Sequence, residues 1–204
     1  RGDLKYIDSD GDGKVDPGKG TLADHGDLKI IGNTTPRYSF GLNLHAGYKG
    51  FEVSALFQGV MKRDFPMAAS TYLFSGDSNF FKEHLDYYRP ENTNSVFGPN
   101  TDAYFPRIYM GKDMNQKVQT RYLQNGAYAR LKNIQIGYTL PKQIINKLCM
   151  QNLRVFVSAE NVLTISSLPG GFDPETTYSV YGDEFSGKTY PLQSTISFGI
   201  NATF

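Results

Sequence analysis

Five segments of this chain alternate apolar and polar residues with a period of two, and several do so over ten residues or more. In the first, Tyr38, Phe40, Leu42, Leu44, Ala46 and Tyr48 oppose Ser39, Gly41, Asn43, His45 and Gly47. After a Lys49-Gly50 turn, Phe51, Val53, Ala55 and Phe57 oppose Glu52, Ser54 and Gln58. Further on, Ile134, Ile136, Tyr138 and Leu140 oppose Gln135, Gly137 and Thr139, and Leu153, Val155, Val157 and Ala159 alternate with Arg154, Phe156, Ser158 and Glu160. The last segment sets Leu192, Ile196, Phe198, Ile200, Ala202 and Phe204 against Gln193, Thr195, Ser197, Asn201 and Thr203, with Ser194 as the one interruption. A side chain leaves a strand on alternate faces, so this pattern demands strands with one apolar and one polar face.

A soluble sandwich and a membrane barrel both satisfy that demand, and strand length separates them. Strands of soluble proteins average about 5–6 residues, whereas a tilted crossing of a bilayer takes about 9–11. Aromatic residues also fall at segment ends (Tyr38, Tyr48, Phe51, Tyr138, Phe204), where an interfacial girdle would sit. The connections alternate in length. The Lys49-Gly50 turn and the stretch 141–152 are short, while 63–120 and 166–190 are long and polar, as at the periplasmic and extracellular rims of an outer-membrane barrel. The expected fold is therefore all-β, an antiparallel wall of transmembrane barrel strands with long extracellular loops. Its organisation is expected to be an extracellular loop over 1–36, two strands over 37–62, a long extracellular loop over 63–120, and three C-terminal strands over 121–204. Five strands are too few to close a barrel, since about eight is the practical minimum, so the wall belongs to something larger. The start at Arg1, without an initiator Met, leads to the same expectation of a processed product or a piece of a longer chain.

Composition excludes several function classes. The 21 Lys and Arg nearly cancel the 20 Asp and Glu, which is no footprint for a nucleic-acid binder. No apolar stretch approaches the roughly 18 residues of a transmembrane helix. Cys149 is the one cysteine, so neither an internal disulfide nor a cysteine-based metal site is expected. His25, His45 and His84 lack zinc-ligand spacing, no Ser-His-Asp arrangement can be assembled, and the chain is not expected to be an enzyme. The run 13–20 nearly spells a phosphate-binding loop, but it lacks the closing Ser or Thr and its strand-helix context.

The sharpest local motif is Asp8-Ser9-Asp10-Gly11-Asp12-Gly13-Lys14-Val15-Asp16, with Asp at loop positions 1, 3, 5 and 9 and Gly at 6. Those are the first nine positions of an EF-hand-type loop, in which alternate carboxylates converge on a hard cation. Asp8, Asp10, Asp12 and Asp16 are expected to hold a structural Ca²⁺, with the Lys14 carbonyl as a further donor. Position 12 is Lys19, so the last carboxylate must come from elsewhere, with Asp24 and Asp27 as the nearby candidates. A solvated acidic turn is the plainer alternative, disfavoured by the mutual repulsion of carboxylates without a cation. In the long loops, Tyr72, Phe74, Phe80, Phe81, Tyr87, Tyr88, Phe97, Tyr104, Phe105 and Tyr109 either pack the loop or a partner, or stack on a ligand.

Taken in order, several short motifs resemble those of the C-terminal portion of a SusC/RagA-type TonB-dependent outer-membrane transporter. They include Gly2-Asp3-Leu4-Lys5-Tyr6 before the Asp-rich loop, Ile31-Gly32-Asn33, Pro36-Arg37-Tyr38-Ser39-Phe40-Gly41 and Arg89-Pro90-Glu91-Asn92. Then follow Ala127-Tyr128-Ala129-Arg130-Leu131-Lys132-Asn133-Ile134, Gly137-Tyr138-Thr139-Leu140-Pro141, Ser158-Ala159-Glu160-Asn161-Val162 and Gly171-Phe172-Asp173-Pro174-Glu175. The resemblance implies uptake of oligosaccharides or peptides through the outer membrane of a Gram-negative bacterium. It also implies a SusD-like surface lipoprotein as partner, TonB engaged through an N-terminal part not in this sequence, and outer-membrane lipid around a barrel of about twenty-two strands. In the family the Asp-rich loop runs directly into the Ile-Ile-Gly segment. Here roughly 17–26 intervenes, which makes Asp27 the match to the last metal ligand. The competing expectation is a secreted calcium-dependent β-sandwich, an adhesin or carbohydrate-binding module with strands of ordinary length.

Overall fold

The computed structural model describes residues 1–67, 82–108, 115, 117–176 and 190–204. The chain divides into two compact units, one from the described residues within Arg1–Gly32 and Pro66–Leu123, the other from those within Asn33–Phe65, Gln124–Ser179 and Thr189–Phe204.

The second unit is built on one antiparallel sheet. Its strands are β1 (Tyr38–Tyr48), β2 (Phe51–Met61), β5 (Tyr128–Thr139), β6 (Asn152–Ser166) and β7 (Thr195–Thr203), in the order β1-β2-β5-β6-β7. The short β3 (Asp64–Pro66) and β4 (Leu123–Asn125) pair separately. Strand lengths of 11, 11, 12, 15 and 9 residues match a tilted bilayer crossing rather than a sandwich strand. Lys49 (φ 47°) and Gly50 (φ 90°) both take left-handed backbone, the conformation that lets two residues join strands of right-handed twist. Short and long connections alternate along the sheet, with α1 (Lys142–Ile145) in the short link between β5 and β6.

Register carries the alternation across all five strands. Leu44 lies opposite Ala55, Ala55 opposite Ile134, Ile134 opposite Ala159, and Ala159 opposite Ile196. One face is therefore apolar from edge to edge. Its large side chains are uncovered, with Phe198 80% and Ile200 69% exposed. At the short-link end Tyr48 stands opposite Phe51 and Phe51 opposite Tyr138, whose rings are 4.4 Å apart, an aromatic cluster at one rim of the face. The other face carries Asn43, His45, Ser54, Gln135, Ser158 and Asn201, and the Glu52–Arg154 ion pair at 3.1 Å.

Two details differ from the sequence expectation. The last strand starts at Thr195, so Ser194, which breaks the alternation, lies before it and turns its hydroxyl to the Asn161 carbonyl at 2.8 Å. The third expected strand begins at Tyr128, well ahead of Ile134, because a register shift between Leu131 and Asn133 breaks the period-two pattern. A bulge of this kind inserts a residue and changes which face the following side chains occupy.

Among the described residues of the first unit, Met67, Phe105 and Tyr122 are buried. Tyr104 packs edge-on against Phe105 and Tyr122, at 4.9 and 5.3 Å between centroids, and His84 edge-on against Phe105 at 5.2 Å. Burial pushes the Tyr122 hydroxyl pKa up to about 12, and it donates to the Tyr104 carbonyl at 3.0 Å.

Candidate functional site

The Asp-rich loop folds by satisfying its own backbone with its carboxylates. Asp8 accepts from the Gly11 amide (2.6 Å) and the Gly13 amide (2.9 Å), Asp10 from Asp12 (3.1 Å), Asp12 from Lys14 (2.7 Å), and Asp16 from Gly18 (2.8 Å). Aspartate side chains favour such local bonds, and Gly11 and Gly13, at φ 80° and 84°, supply the left-handed turns between them. Asp27 closes the loop from outside. One carboxylate oxygen accepts from the Ser9 amide, the other from the Asp16 amide at 2.9 Å, and the Asp27 amide donates to the Asp16 carbonyl at 2.9 Å. The intervening excursion is pinched shut at its base, where a Cβ on Gly26 would stand 2.5 Å from the Asp16 carbonyl oxygen. Residues 17–26 thus leave the loop and return to it, delivering Asp27 beside Asp8.

Asp8, Asp10 and Asp27 bring ligand oxygens within 4.8 Å of one another. Asp12 and Asp16 stand outside that group, and Asp24 pairs with Lys19 at 3.3 Å. The amides of Ser9 and then Asp16 hold the Asp27 carboxyl below the ordinary aspartate range. The group therefore stays ionised at neutral pH. An all-oxygen donor set of three anions suits a hard cation such as Ca²⁺.

A second charged centre was not singled out in the sequence as a site. Arg130 on β5 and Asp173 are almost fully buried and 2.8 Å apart. Arg130 also reaches Glu175 at 3.3 Å and Thr164 on β6 at 2.8 Å, and Lys132 meets Glu175 at 2.7 Å. Asp173 further accepts from the amides of Glu175 (2.9 Å) and Leu192 (3.0 Å). Burial works against its charge, but those amides and the Arg130 guanidinium together hold its pKa below the ordinary aspartate value. Strict alternation back from Ile134 would assign Arg130 and Lys132 to the apolar face; the register shift between Leu131 and Asn133 breaks that count, and both side chains reach the same carboxylate. The centre ties Asp173 and Glu175, near one end of the 167–194 connection, to β5, and Leu192, near the other end, to Asp173. The one sequence signal was that these residues lie in two of the quoted motifs, 43 positions apart.

Of the loop aromatics, Tyr72, Phe74, Phe80, Phe81 and Tyr109 lie outside the described residues. Tyr104 and Phe105 belong to the aromatic cluster already described, and the Arg89 guanidinium lies 4.7 Å from the Tyr87 ring and 5.9 Å from the Phe97 ring. Tyr88 stands against Gly2.

No protein-family profile matches the chain. A TonB-dependent receptor of Formosa agariphila is 30% identical over 206 residues, covering 98% of this chain and 19% of the receptor. Nearly the whole chain is similar to a portion of a TonB-dependent receptor. A second receptor of the same organism is 26% identical over the whole chain and 20% of its own length. The chain thus spans about a fifth of the length of the curated relatives it matches. Among solved structures, the RagAB peptide importer in its open-open state aligns at TM-score 0.62 and 23% identity, over 86% of this chain and 18% of that one. A RagAB peptide transporter structure aligns at 0.63 over the same shares.

TonB-dependent receptors are outer-membrane proteins of Gram-negative bacteria, and the chain aligns with about a fifth of such a receptor. The open five-stranded sheet is a partial barrel wall. The β-sandwich expectation fails on the same observations: its strands are too long, and among the described residues no second sheet covers the apolar face.

Proposed function

We propose that the chain forms barrel wall and extracellular loops of an importer of oligosaccharides or peptides, coupled to TonB and capped by a SusD-like lipoprotein. The observation that carries this reading is the relation to a TonB-dependent receptor along 98% of the chain. The description of the structural neighbours as peptide importers supports import as the activity. In this reading the apolar face of the sheet meets outer-membrane lipid, and the polar face lines the interior. The test is to extract the full-length protein carrying this segment from its native outer membrane in detergent and identify what accompanies it. A barrel-forming protein with a surface lipoprotein, whose deletion abolishes uptake of a defined oligosaccharide or peptide mixture, is expected. A species soluble without detergent, or uptake unchanged by deletion, overturns the reading.

We further propose that Asp8, Asp10 and Asp27 hold a structural Ca²⁺, with Asp12, Asp16 and the Lys14 carbonyl contributing as the loop tightens around the ion. Asp27→Asn should lower the calcium content of the purified receptor by about one ion and render 8–27 sensitive to protease. Acid should act in the same direction. Because the folded Asp27 pKa is depressed, its contribution is complete above the unfolded aspartate pKa and is lost as pH falls through the lower folded value. Loop protection at neutral pH therefore responds to a chelator, and loss by acid alone requires a pH below the ordinary aspartate range. Equal calcium content in the wild-type and variant proteins would defeat the assignment.

A further inference from the structure

A period-two pattern decides which face each side chain takes but leaves the pairing of two strands open in steps of two residues. Sliding β7 by two along β6 would keep Ile196, Phe198, Ile200 and Ala202 on the apolar face, and Thr195, Ser197 and Asn201 on the polar one. Something beyond the alternation must therefore select the register observed, in which Ala159 lies opposite Ile196 and Phe156 opposite Gly199.

Two residues break the polar pattern without breaking a strand. Phe156 is a large apolar side chain among Arg154, Ser158 and Glu160 on the polar face of β6, and Gly199 leaves β7 without a side chain at the same level. The two meet. A Cβ on Gly199 would collide with the Phe156 ring, and Gly199 is the one residue of β7 that is not exposed. The ring thus lies on bare backbone, an arrangement in which an aromatic compensates for a glycine across strands. The same row continues through the sheet, for Glu52 of β2 stands opposite Gly137 of β5, and Gly137 opposite Phe156. The Arg154 guanidinium covers Gly137, where an added Cβ would stand 2.7 Å from Nη2, and it reaches Glu52 at 3.1 Å and the Phe156 ring at 5.2 Å. Large side chains and glycines therefore alternate along the row Glu52, Gly137, Phe156, Gly199. A slip of two residues would set Phe156 against Ser197 or Asn201, and Gly199 against Ser158 or Arg154.

We propose that Phe156 and Gly199 are the register key of the last strand: the place of the glycine in β7 selects the rung of β6 on which the strand pairs. The key depends on contacts within this chain alone and holds whatever the receptor carries.

The experiment moves the glycine and reads the register by cross-linking in the full-length receptor, isolated from outer membranes with Cys149→Ser removing the exposed thiol. Thr195→Cys is combined either with Glu160→Cys, its partner in the observed register, or with Ser158→Cys, its partner after a two-residue slip. Two cysteines bridge readily only when their Cα atoms lie within about 7 Å, which separates directly opposed from diagonal positions. Without further change the 160–195 bridge is expected to dominate. Ser197→Gly with Gly199→Ser, which keeps composition and moves the glycine by two, should shift the ratio toward the 158–195 bridge by about tenfold or more. Adding Phe156→Ser and Ser158→Phe moves the ring to the same rung as the glycine and should restore the 160–195 bridge. If the variant with only the glycine moved fails to assemble, this fourfold variant decides: recovery of assembly with the 160–195 bridge supports the key, and its absence overturns it. An unshifted ratio after moving the glycine also overturns the proposal, and assigns the register to the bonds of Asn161 with Gln193 and Ser194 where the pairing ends.

Discussion

Arg130→Met should destabilise the receptor by about 3–5 kcal/mol, the cost of removing one partner from a buried ion pair. Asp173 would then lose the guanidinium at 2.8 Å, while Glu175 would keep Lys132 at 2.7 Å. Asp173 would keep its two amide donors, from Glu175 and Leu192, while losing the guanidinium that balances its charge. The effect should appear as a lower urea midpoint in detergent and as early proteolysis within 167–194, since the centre holds residues near both ends of that connection. Arg130→Lys keeps the charge but cannot meet Asp173, Glu175 and Thr164 from one planar group, so it should recover only part of the loss. The depressed Asp173 pKa sets the direction of the acid response. The cluster contributes fully above the unfolded aspartate pKa and weakens as pH falls through the lower folded value, so the loop should remain fastened at neutral pH and release only in strong acid. A variant with unchanged urea midpoint and protease resistance would show that the cluster does not hold the loop.

Phe198→Arg or Ile200→Arg should sharply reduce the folded receptor in the outer membrane. Both side chains lie on the uncovered apolar face, opposite Val157 and Val155 on β6. If that face meets lipid as proposed, an arginine near the bilayer midplane costs about 2–4 kcal/mol. Ser197→Arg, one residue away on the opposite face, is the control and should assemble normally. Heat-modifiable migration of the folded barrel from isolated outer membranes measures the outcome. Equal amounts of all three variants would mean that the face is covered by protein rather than lipid.

The contrast between those two experiments follows the division between what was readable in the chain and what was not. Residues 198 and 200 are assigned to one face by counting alone, because a strand turns each successive side chain to the opposite side. The two-residue link at Lys49-Gly50 was equally readable, since a hairpin of that length needs left-handed backbone that glycine adopts at little cost. Arg130, Lys132, Asp173 and Glu175 could not be assembled by such counting. Their meeting depends on a bulge that interrupts the periodicity and on a connection that returns 43 residues later.

The Asp-rich loop falls between these cases. Its local spacing placed Asp8, Asp10, Asp12 and Asp16 in one turn, because neighbours in sequence must remain neighbours in space. Resemblance then selected Asp27, and the structure lays it against Ser9 and Asp16 across the excursion 17–26. The meeting of Gly2, Tyr88 and Arg107 had no sequence signature at all, for it arises through backbone pairing between distant segments. The sequence by itself thus determined the antiparallel sheet, its apolar and polar faces and its short turns, all set by local periodicity and backbone freedom. Which charges are buried together and which aspartates converge were decided by tertiary structure alone, because long-range register and loop return are not encoded in any local repeat.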